Sequence, residues 1–299
     1  MSSVNNVQIS QHLSSDTQWT AEFRLDKVIC EEPLEVWIQS HTATPGQNKP
    51  LAQPVLTLMR TPGDDINLVR GWLLSSGLID SPAQIYAIHH TGSERLKRGH
   101  SNRVLVTLSA QSPIDLSSFR RHEVASSACG VCGQQSIEAI LLRLEQKSQQ
   151  AHLNRVPLQA KHIDALISAF SQRLPLFQQT GGNHGVALFS QHEGIIDSRE
   201  DVGRHNALDK VIGANADRLF GTQQPLRPSQ AVSGMGVILS GRAGFEMIQK
   251  AVMANIDYVL ALGAPSSLAL ELAQETDMLL LGFIKPQRFN VYSGEHWLS

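Results

Sequence analysis

Two cysteines separated by two residues are the side chains in this sequence best suited to chemistry. They stand in Cys129-Gly130-Val131-Cys132-Gly133, and the amphipathic pattern of a helix begins a few residues later, near Ser136. A thiolate near a helix N-terminus is stabilised by the helix dipole and by free backbone N–H groups. The glycines keep the sulfur atoms accessible. The pattern therefore predicts a nucleophilic thiol suited to sulfur chemistry.

The same spacing also fits half of a zinc site or a pair of small buried side chains. Zinc needs two more ligands, and the sequence has neither a second CxxC nor an HxxxH pair. The zinc-deaminase signature is absent, because Ala128 precedes Cys129 and both His122 and His192 are followed directly by glutamate. Cys30 stands alone and is predicted to be a core residue. A zinc half-site and inert thiols remain the alternatives.

Three further stretches could hold an anion. Ser240–Gly244 lies at a predicted strand-to-helix junction, where Gly241 and Arg242 could bind phosphate or form a plain turn. His184 in the glycine-rich stretch 180–185 could face a ligand or belong to a tight turn. The stretch 199–210 is either a solvated face or a charged cluster. Because Arg204 and His205 fall in a predicted first helical turn, a ligand or a carboxylate is expected to offset them.

The elements that position these residues form two units. A polar, flexible tail is predicted for residues 1–20. Residues 21–124 read as an N-terminal α+β domain, with strands at 21–29, 34–38, 55–59, 84–89 and 104–108 and a helix after Asp64. In residues 125–299, apolar strands at 236–240, 258–262 and 278–283 alternate with helices at 244–255 and 266–275. This βαβαβ pattern predicts an α/β fold with a parallel sheet.

Composition excludes several classes of protein. The 299 residues carry 25 basic and 27 acidic side chains, which argues against a nucleic-acid-binding surface. Three cysteines cannot form a disulfide scaffold. No apolar run approaches the roughly 20 residues that span a membrane, and the polar N-terminus does not resemble a signal peptide. We therefore expect a cytoplasmic protein that binds neither nucleic acid nor membranes.

Taken together, the motifs over residues 20–294 resemble the formate dehydrogenase accessory sulfurtransferase family. The stretches that carry the resemblance are Arg60–Asp65, Cys129–Gly133, Arg199–Lys210, Ser240–Ala243, Phe245–Met247 and Arg288–Gly294. The order and length of these stretches make the match specific, which a CxxC alone would not.

The resemblance implies a function that spacing alone could not give. Members take persulfide sulfur from a cysteine desulfurase and deliver it to the molybdenum cofactor, in its bis-guanine-dinucleotide form, before insertion into formate dehydrogenase. Cys129 matches the persulfide carrier and Cys132 matches the second cysteine of the motif. The matching cofactor-binding segment is Phe283, Ile284, Lys285, Pro286, Gln287 and Arg288.

Within that segment, Lys285 and Arg288 are expected to contact phosphate. The resemblance further implies a C-terminal three-layer domain similar to cytidine deaminase, a homodimer, and no metal ion of the protein's own. Two other functions stay open from the residues themselves. One is a redox protein in which Cys129 and Cys132 cycle through a disulfide. The other is a chaperone that binds the cofactor without transferring sulfur.

Overall fold

The computed structural model describes residues 3–15, 18–41, 51–91, 102–109, 155–221 and 234–299. The motif with Cys129 and Cys132 and the helix predicted to begin near Ser136 lie outside these residues. The described part contains three β-sheets of two, four and six strands.

The chain begins with a β-hairpin rather than an unstructured tail. Strand β1 (Val4–Ser15) pairs with β2 (Gln18–Ile29) in one antiparallel register, from Val4 opposite Ile29 to Ser15 opposite Gln18. The prediction of a tail at residues 1–20 is therefore wrong for β1. The sequence does not predict this strand because few of its residues are apolar, which leaves only a weak period of two. No residue of β1 is fully buried.

The N-terminal sheet has the strand order β4-β3-β6-β5. Its strands are β3 (Glu32–Ser40), β4 (Gln53–Arg60), β5 (Ile85–His90) and β6 (Arg103–Leu108), and helix α1 (Asp65–Ser75) follows β4. In β3, Leu34, Val36 and Ile38 are fully buried and alternate with partly exposed residues. The predicted strands and helix of this region are confirmed.

The larger sheet has the order β12-β11-β10-β9-β7-β8. Its strands are β7 (His184–Ser190), β8 (Gly194–Asp201), β9 (Met235–Leu239), β10 (Tyr258–Ala261), β11 (Leu279–Lys285) and β12 (Arg288–Ser293). The helices of this region are α2 (Ile163–Ser171), α3 (Pro175–Thr180), α4 (Arg204–Ala214), α5 (Ala216–Phe220), α6 (Phe245–Met253) and α7 (Ser267–Glu275). Strands β9, β10 and β11 run parallel, with α6 and α7 as the crossovers, so the predicted βαβαβ unit is confirmed.

Alternate residues of the larger sheet face two different hydrophobic cores. In β7, Val186 and Leu188 face the core that also holds α1, α4, α6, α7 and the N-terminal sheet. Ala187 and Phe189 face the core that holds α2. Because both faces are covered, these strands read as continuous apolar runs. Helices thus cover both faces of a mixed sheet, while the finer likeness to cytidine deaminase and the domain boundary at 124/125 stay predictions.

Helices α1 and α4 join the two sheets by a contact between their backbones. A Cβ atom on Gly71 would lie 1.8 Å from the carbonyl oxygen of Asp209, and one on Gly213 would lie 1.9 Å from that of Asn67. Only glycine fits at these two positions, because the opposing atoms are backbone rather than the ends of flexible side chains.

A buried ion pair adds to the contact between α1 and α4. Lys250 Nζ lies 2.9 Å from both carboxylate oxygens of Asp209, and Ser75 Oγ donates to Asp209 Oδ1 at 2.6 Å. All three side chains are buried. Removing one partner of such a pair leaves a charge buried without compensation, so the cluster fixes how α1, α4 and α6 sit together.

Candidate cofactor-binding crevice

The carboxyl ends of the three parallel strands meet at one edge of the larger sheet. The N–H of Gly263, after β10, donates to the carbonyl of Gly241, after β9, at 3.0 Å. The N–H of Phe283, in β11, donates to the carbonyl of Gly263 at 3.1 Å. Ala243 and Pro265 form a further bridge between the first two loops. Open α/β sheets bind ligands at this edge, so it is the candidate site.

His184 reaches the same edge because β7 runs antiparallel to β9. The backbone N–H of Gly185 donates to Ser240 Oγ at 2.9 Å, and a Cβ atom on Gly241 would lie 3.5 Å from His184 Nδ1. Two of the candidate ligand residues, His184 and Gly241, are therefore neighbours. Arg242 follows them and is exposed.

The pKa of His184 is lowered from its ordinary value, first by burial and then by the positive charges of Arg204 and His205, with Asp201 acting in the opposite direction. The neutral imidazole is therefore favoured in the free protein. Arg204 places a positive charge near His184, which suits an anionic ligand.

This arrangement gives a titration test. An anion bound beside His184 stabilises the imidazolium, so we expect GDP, used as a mimic of the cofactor's dinucleotide, to raise the pKa of His184. The measurement is an NMR titration of the histidine ring signals with and without GDP, in which His184→Gln identifies the responding signal. A His184 titration that GDP leaves unchanged would place the phosphates away from this residue.

His205 contacts Glu246, with 2.8 Å between Nε2 and Oε2. The pair joins the first turn of α4 to the first turn of α6. Of the two partners predicted for the basic first turn of α4, a ligand or a carboxylate, Glu246 is thus the carboxylate. The alternative of a solvated face is wrong for this stretch, because His205, Asn206, Asp209 and Lys210 are all buried.

Two of the motif stretches pack against each other. Asp201 accepts hydrogen bonds from the N–H groups of Thr61 and Gly203, and its Oδ2 lies 2.7 Å from Lys210 Nζ. Thr61 Oγ1 in turn accepts from the N–H of Val202 at 3.0 Å. The stretches 60–65 and 199–210 therefore anchor the N-terminal sheet to the larger one. Sequence reasoning missed this role, since no spacing rule pairs residues about 140 positions apart.

Two glycines of the stretch 180–185 are required by the local structure. Gly181 ends α3 with φ of 62°, in the left-handed region that favours glycine. A Cβ atom on Gly185 would lie 2.2 Å from Leu174 Cδ2, so the strand packs closely there. Of this stretch, His184 is the residue that the structure brings to the crevice.

The segment from Phe283 to Arg288 forms the end of β11, the turn and the start of β12. Two of its non-glycine residues have left-handed backbones, Phe283 with φ of 50° and Gln287 with φ of 59°. Such conformations cost free energy and cluster at ligand sites. The side chains of Phe283, Lys285, Pro286, Gln287 and Arg288 are exposed. Ile284 is the exception, since its side chain is 4% exposed and packs in the core.

Lys285 and Arg288 stand directly opposite each other across this hairpin. Like charges in directly opposed positions destabilise a strand pair. The turn between them is held by α2, because Asp164 Oδ1 accepts from the N–H of Gln287 at 3.2 Å. A bound anion between the two cations would relieve their repulsion.

The described ranges also bear on metals and membranes. No three His, Cys, Asp or Glu side chains among the described residues group closely enough to hold a metal ion. Within the same ranges, no helix has the length and apolar character needed to cross a bilayer.

Comparison with known proteins decides the family. The model of the FdhD/NarQ family matches residues 29–299. The chain belongs to this family. The relationship inferred from the motifs is thereby confirmed.

Named members of the FdhD/NarQ family align over most of the chain. The sulfur carrier protein FdhD of Corynebacterium efficiens is 34% identical over 295 residues, which cover 97% of both chains. The sulfur carrier protein FdhD of Streptomyces avermitilis is 35% identical over 278 residues, covering 92% of this chain and 90% of the relative.

A solved structure shares the fold of the family. The crystal structure of a protein from Desulfotalea psychrophila, described as a formate dehydrogenase accessory protein, superposes with a TM-score of 0.64. The match covers 98% of this chain and 99% of that chain at 20% sequence identity, so it supports the fold alone.

Proposed function

We propose that this protein is a sulfur carrier, a sulfurtransferase that acts through a persulfide on Cys129. Membership of the FdhD/NarQ family over residues 29–299 carries the proposal, because that span includes the Cys129–Gly133 motif and its aligned relatives are named sulfur carriers. The donor is a cysteine desulfurase. The acceptor is the molybdenum cofactor with two guanine dinucleotide arms, which is carried as cargo to formate dehydrogenase.

The loading step is a thiol–persulfide exchange. The Cys129 thiolate attacks the terminal sulfur of the desulfurase persulfide, so a new S–S bond forms on Cys129 and the bond on the desulfurase breaks. The desulfurase cysteine leaves as a thiolate. The exchange involves no net oxidation or reduction.

Passing the sulfur on as sulfide requires two electrons, and Cys132 is suited to supply them. Its thiolate attacks Cys129 Sγ, which releases sulfide and leaves a disulfide between the two cysteines. A cytosolic thiol reductant then regenerates both thiols. This chemistry fits the cytoplasm, and the proposal places the protein there, as a homodimer.

The charges at the crevice support cargo with phosphate groups. Lys285 and Arg288 face each other across a turn in which Gln287 has a left-handed backbone. His184 lies beside Gly241 with Arg204 close by. A dinucleotide arm carries a pyrophosphate, whose negative charge these cations would balance.

The decisive experiment is mass spectrometry of the intact protein after incubation with a cysteine desulfurase and cysteine. A gain of one or more sulfur atoms, mapped to Cys129, is the expected result. If Cys129 and Cys132 only cycle between dithiol and disulfide, no sulfur is gained, and the protein is a redox protein instead.

Removing a side chain that binds phosphate should weaken nucleotide binding and leave sulfur loading on Cys129 unchanged. Loss of one charged hydrogen-bond partner costs about 1.5–3 kcal/mol, so Lys285→Ala or Arg288→Ala should lower the affinity for GDP roughly tenfold or more. Calorimetry measures the affinity, and Arg173→Ala removes another exposed arginine as the matched control. Equal affinities in all variants would move the phosphates elsewhere, with His184 and Arg204 as the next residues to test.

A further inference from the structure

The N-terminal hairpin exposes a row of large apolar side chains. Trp19, Phe23 and Leu25 are 72%, 77% and 75% exposed. They lie two or four residues apart on β2, so together with Ala21 they share one face of the hairpin. We call these four residues the apolar row.

The face that carries the apolar row is nearly free of charge. The directly opposed residues on β1 are Ser14, His12, Ser10 and Gln8, in that order along the row. The charged residues of β2 in this region, Glu22, Arg24 and Asp26, stand on the opposite face. On β1, Val7 and Ile9 of that opposite face are half-buried, whereas the residues opposite the apolar row are exposed. An antiparallel strand pair commonly packs one face on other structure, and the apolar row is not packed on the described part of this chain.

The base of the same face contacts α3 and a residue that follows it. Lys27 Nζ donates to Gln179 Oε1 of α3 at 3.3 Å, and the side chain of Ile29 lies against Gly182, which follows α3. Lys27 and Ile29 continue the alternation of the apolar row. The face is therefore a packing face whose outer part, from Trp19 to Leu25, projects beyond α3.

A hairpin of two strands is marginally stable in water unless another layer packs on it. The three large side chains of the apolar row offer about 500 Å² per copy for burial, so two copies would bury about 1,000 Å² before the polar flanks are counted. That total approaches the lower limit for a specific interface.

We propose that the apolar row packs against the apolar row of a second copy of this chain, face to face around a twofold axis. A twofold axis brings the same surface of each copy together, so that surface must not place like charges against each other. The near absence of charge on this face satisfies that condition, whereas the opposite face would place Glu22 and Asp26 near their own copies. The apolar row is then the interface of the homodimer in the proposed function, on which this assignment rests.

Sedimentation velocity of the full chain over a range of concentrations tests the proposal. The wild type should sediment as a dimer at micromolar concentration. Phe23→Ser combined with Leu25→Ser removes four apolar side chains per dimer and should raise the dissociation constant roughly 100-fold or more. The emission of Trp19 should shift to longer wavelength as the dimer dissociates, because the indole returns to water.

The matched control is Glu22→Ser combined with Arg24→Ser, on the opposite face of the same strand, which should keep the wild-type affinity. All four positions are exposed, so circular dichroism should show the same folded state in both variants. A wild type that stays monomeric at roughly 100 µM, or a Phe23/Leu25 variant that dimerises as well as the wild type, overturns the proposal. Sulfur loading on Cys129 should be the same in every variant, so a failure of loading would instead count against the proposed function.

Discussion

Cys129→Ala is expected to abolish both sulfur loading by a cysteine desulfurase and the activation of formate dehydrogenase. The reason is chemical, since no alanine side chain can form the persulfide that carries the sulfur. Loading is measured by mass spectrometry of the intact protein. Activation is measured as formate oxidation in cells or extracts that depend on this protein.

The other two cysteines provide the controls. Cys30 is buried with 3% exposure, and Cys30→Ala should load and activate like the wild type. Cys132→Ala should still accept sulfur on Cys129 but fail to release it, because the attacking thiolate is gone. Full activation of formate dehydrogenase by Cys129→Ala would contradict the carrier role and favour a chaperone that only holds the cofactor.

Gly213→Ala should destabilise the folded protein strongly, although alanine is the better helix former by about 1 kcal/mol. The new Cβ atom would lie 1.9 Å from the carbonyl oxygen of Asn67, so α1 and α4 must move apart. Overpacking of this kind costs about 3 kcal/mol, which corresponds to a fall in Tm of roughly 6–12 °C. Thermal unfolding followed by circular dichroism measures it.

Gly244→Ala is the matched control, because a Cβ atom there would have nothing within 4 Å and its φ of −87° suits alanine. Its effect should stay within about 1 kcal/mol. If Gly213→Ala proved as stable as this control, the close contact between α1 and α4 would not exist in solution.

The parallel part of the fold could be predicted from sequence because strands buried on both faces are continuous apolar runs. Strands β9, β10 and β11 are short apolar runs between helices, and that order alone sets their direction and crossovers. Because parallel strands end at the same edge of a sheet, this topology also requires the ends after Ser240, Ala264 and Phe283 to lie near each other. Hydrogen bonds between Gly241, Gly263 and Phe283 confirm this.

The strands that the sequence did not predict lie at sheet edges or in the hairpin. Strand β8 is half-exposed along nearly its whole length and leaves no clear apolar period. Strand β12 is a short outer strand in which only Phe289 and Val291 alternate, which is too few for a clear period. The partner of His205 could be anticipated only as a carboxylate or a ligand, because Glu246 is brought to it by packing rather than by spacing. The contacts of Thr61 with Asp201 and of Ser75 with Asp209 could not be predicted from the sequence for the same reason.

The backbone contact between Gly71 and Gly213 has a consequence for cooperativity. The N-terminal sheet, α1, α4 and one face of the larger sheet share a single hydrophobic core. A fragment ending near residue 124 would therefore expose Leu68, Val69, Leu73 and Leu74 to water. It would also leave the backbone carbonyls of Met59 and Thr61 without the side-chain donors that α4 supplies. Although the sequence divides into two units, the shared core couples their unfolding. Heat should therefore melt both sheets in one transition.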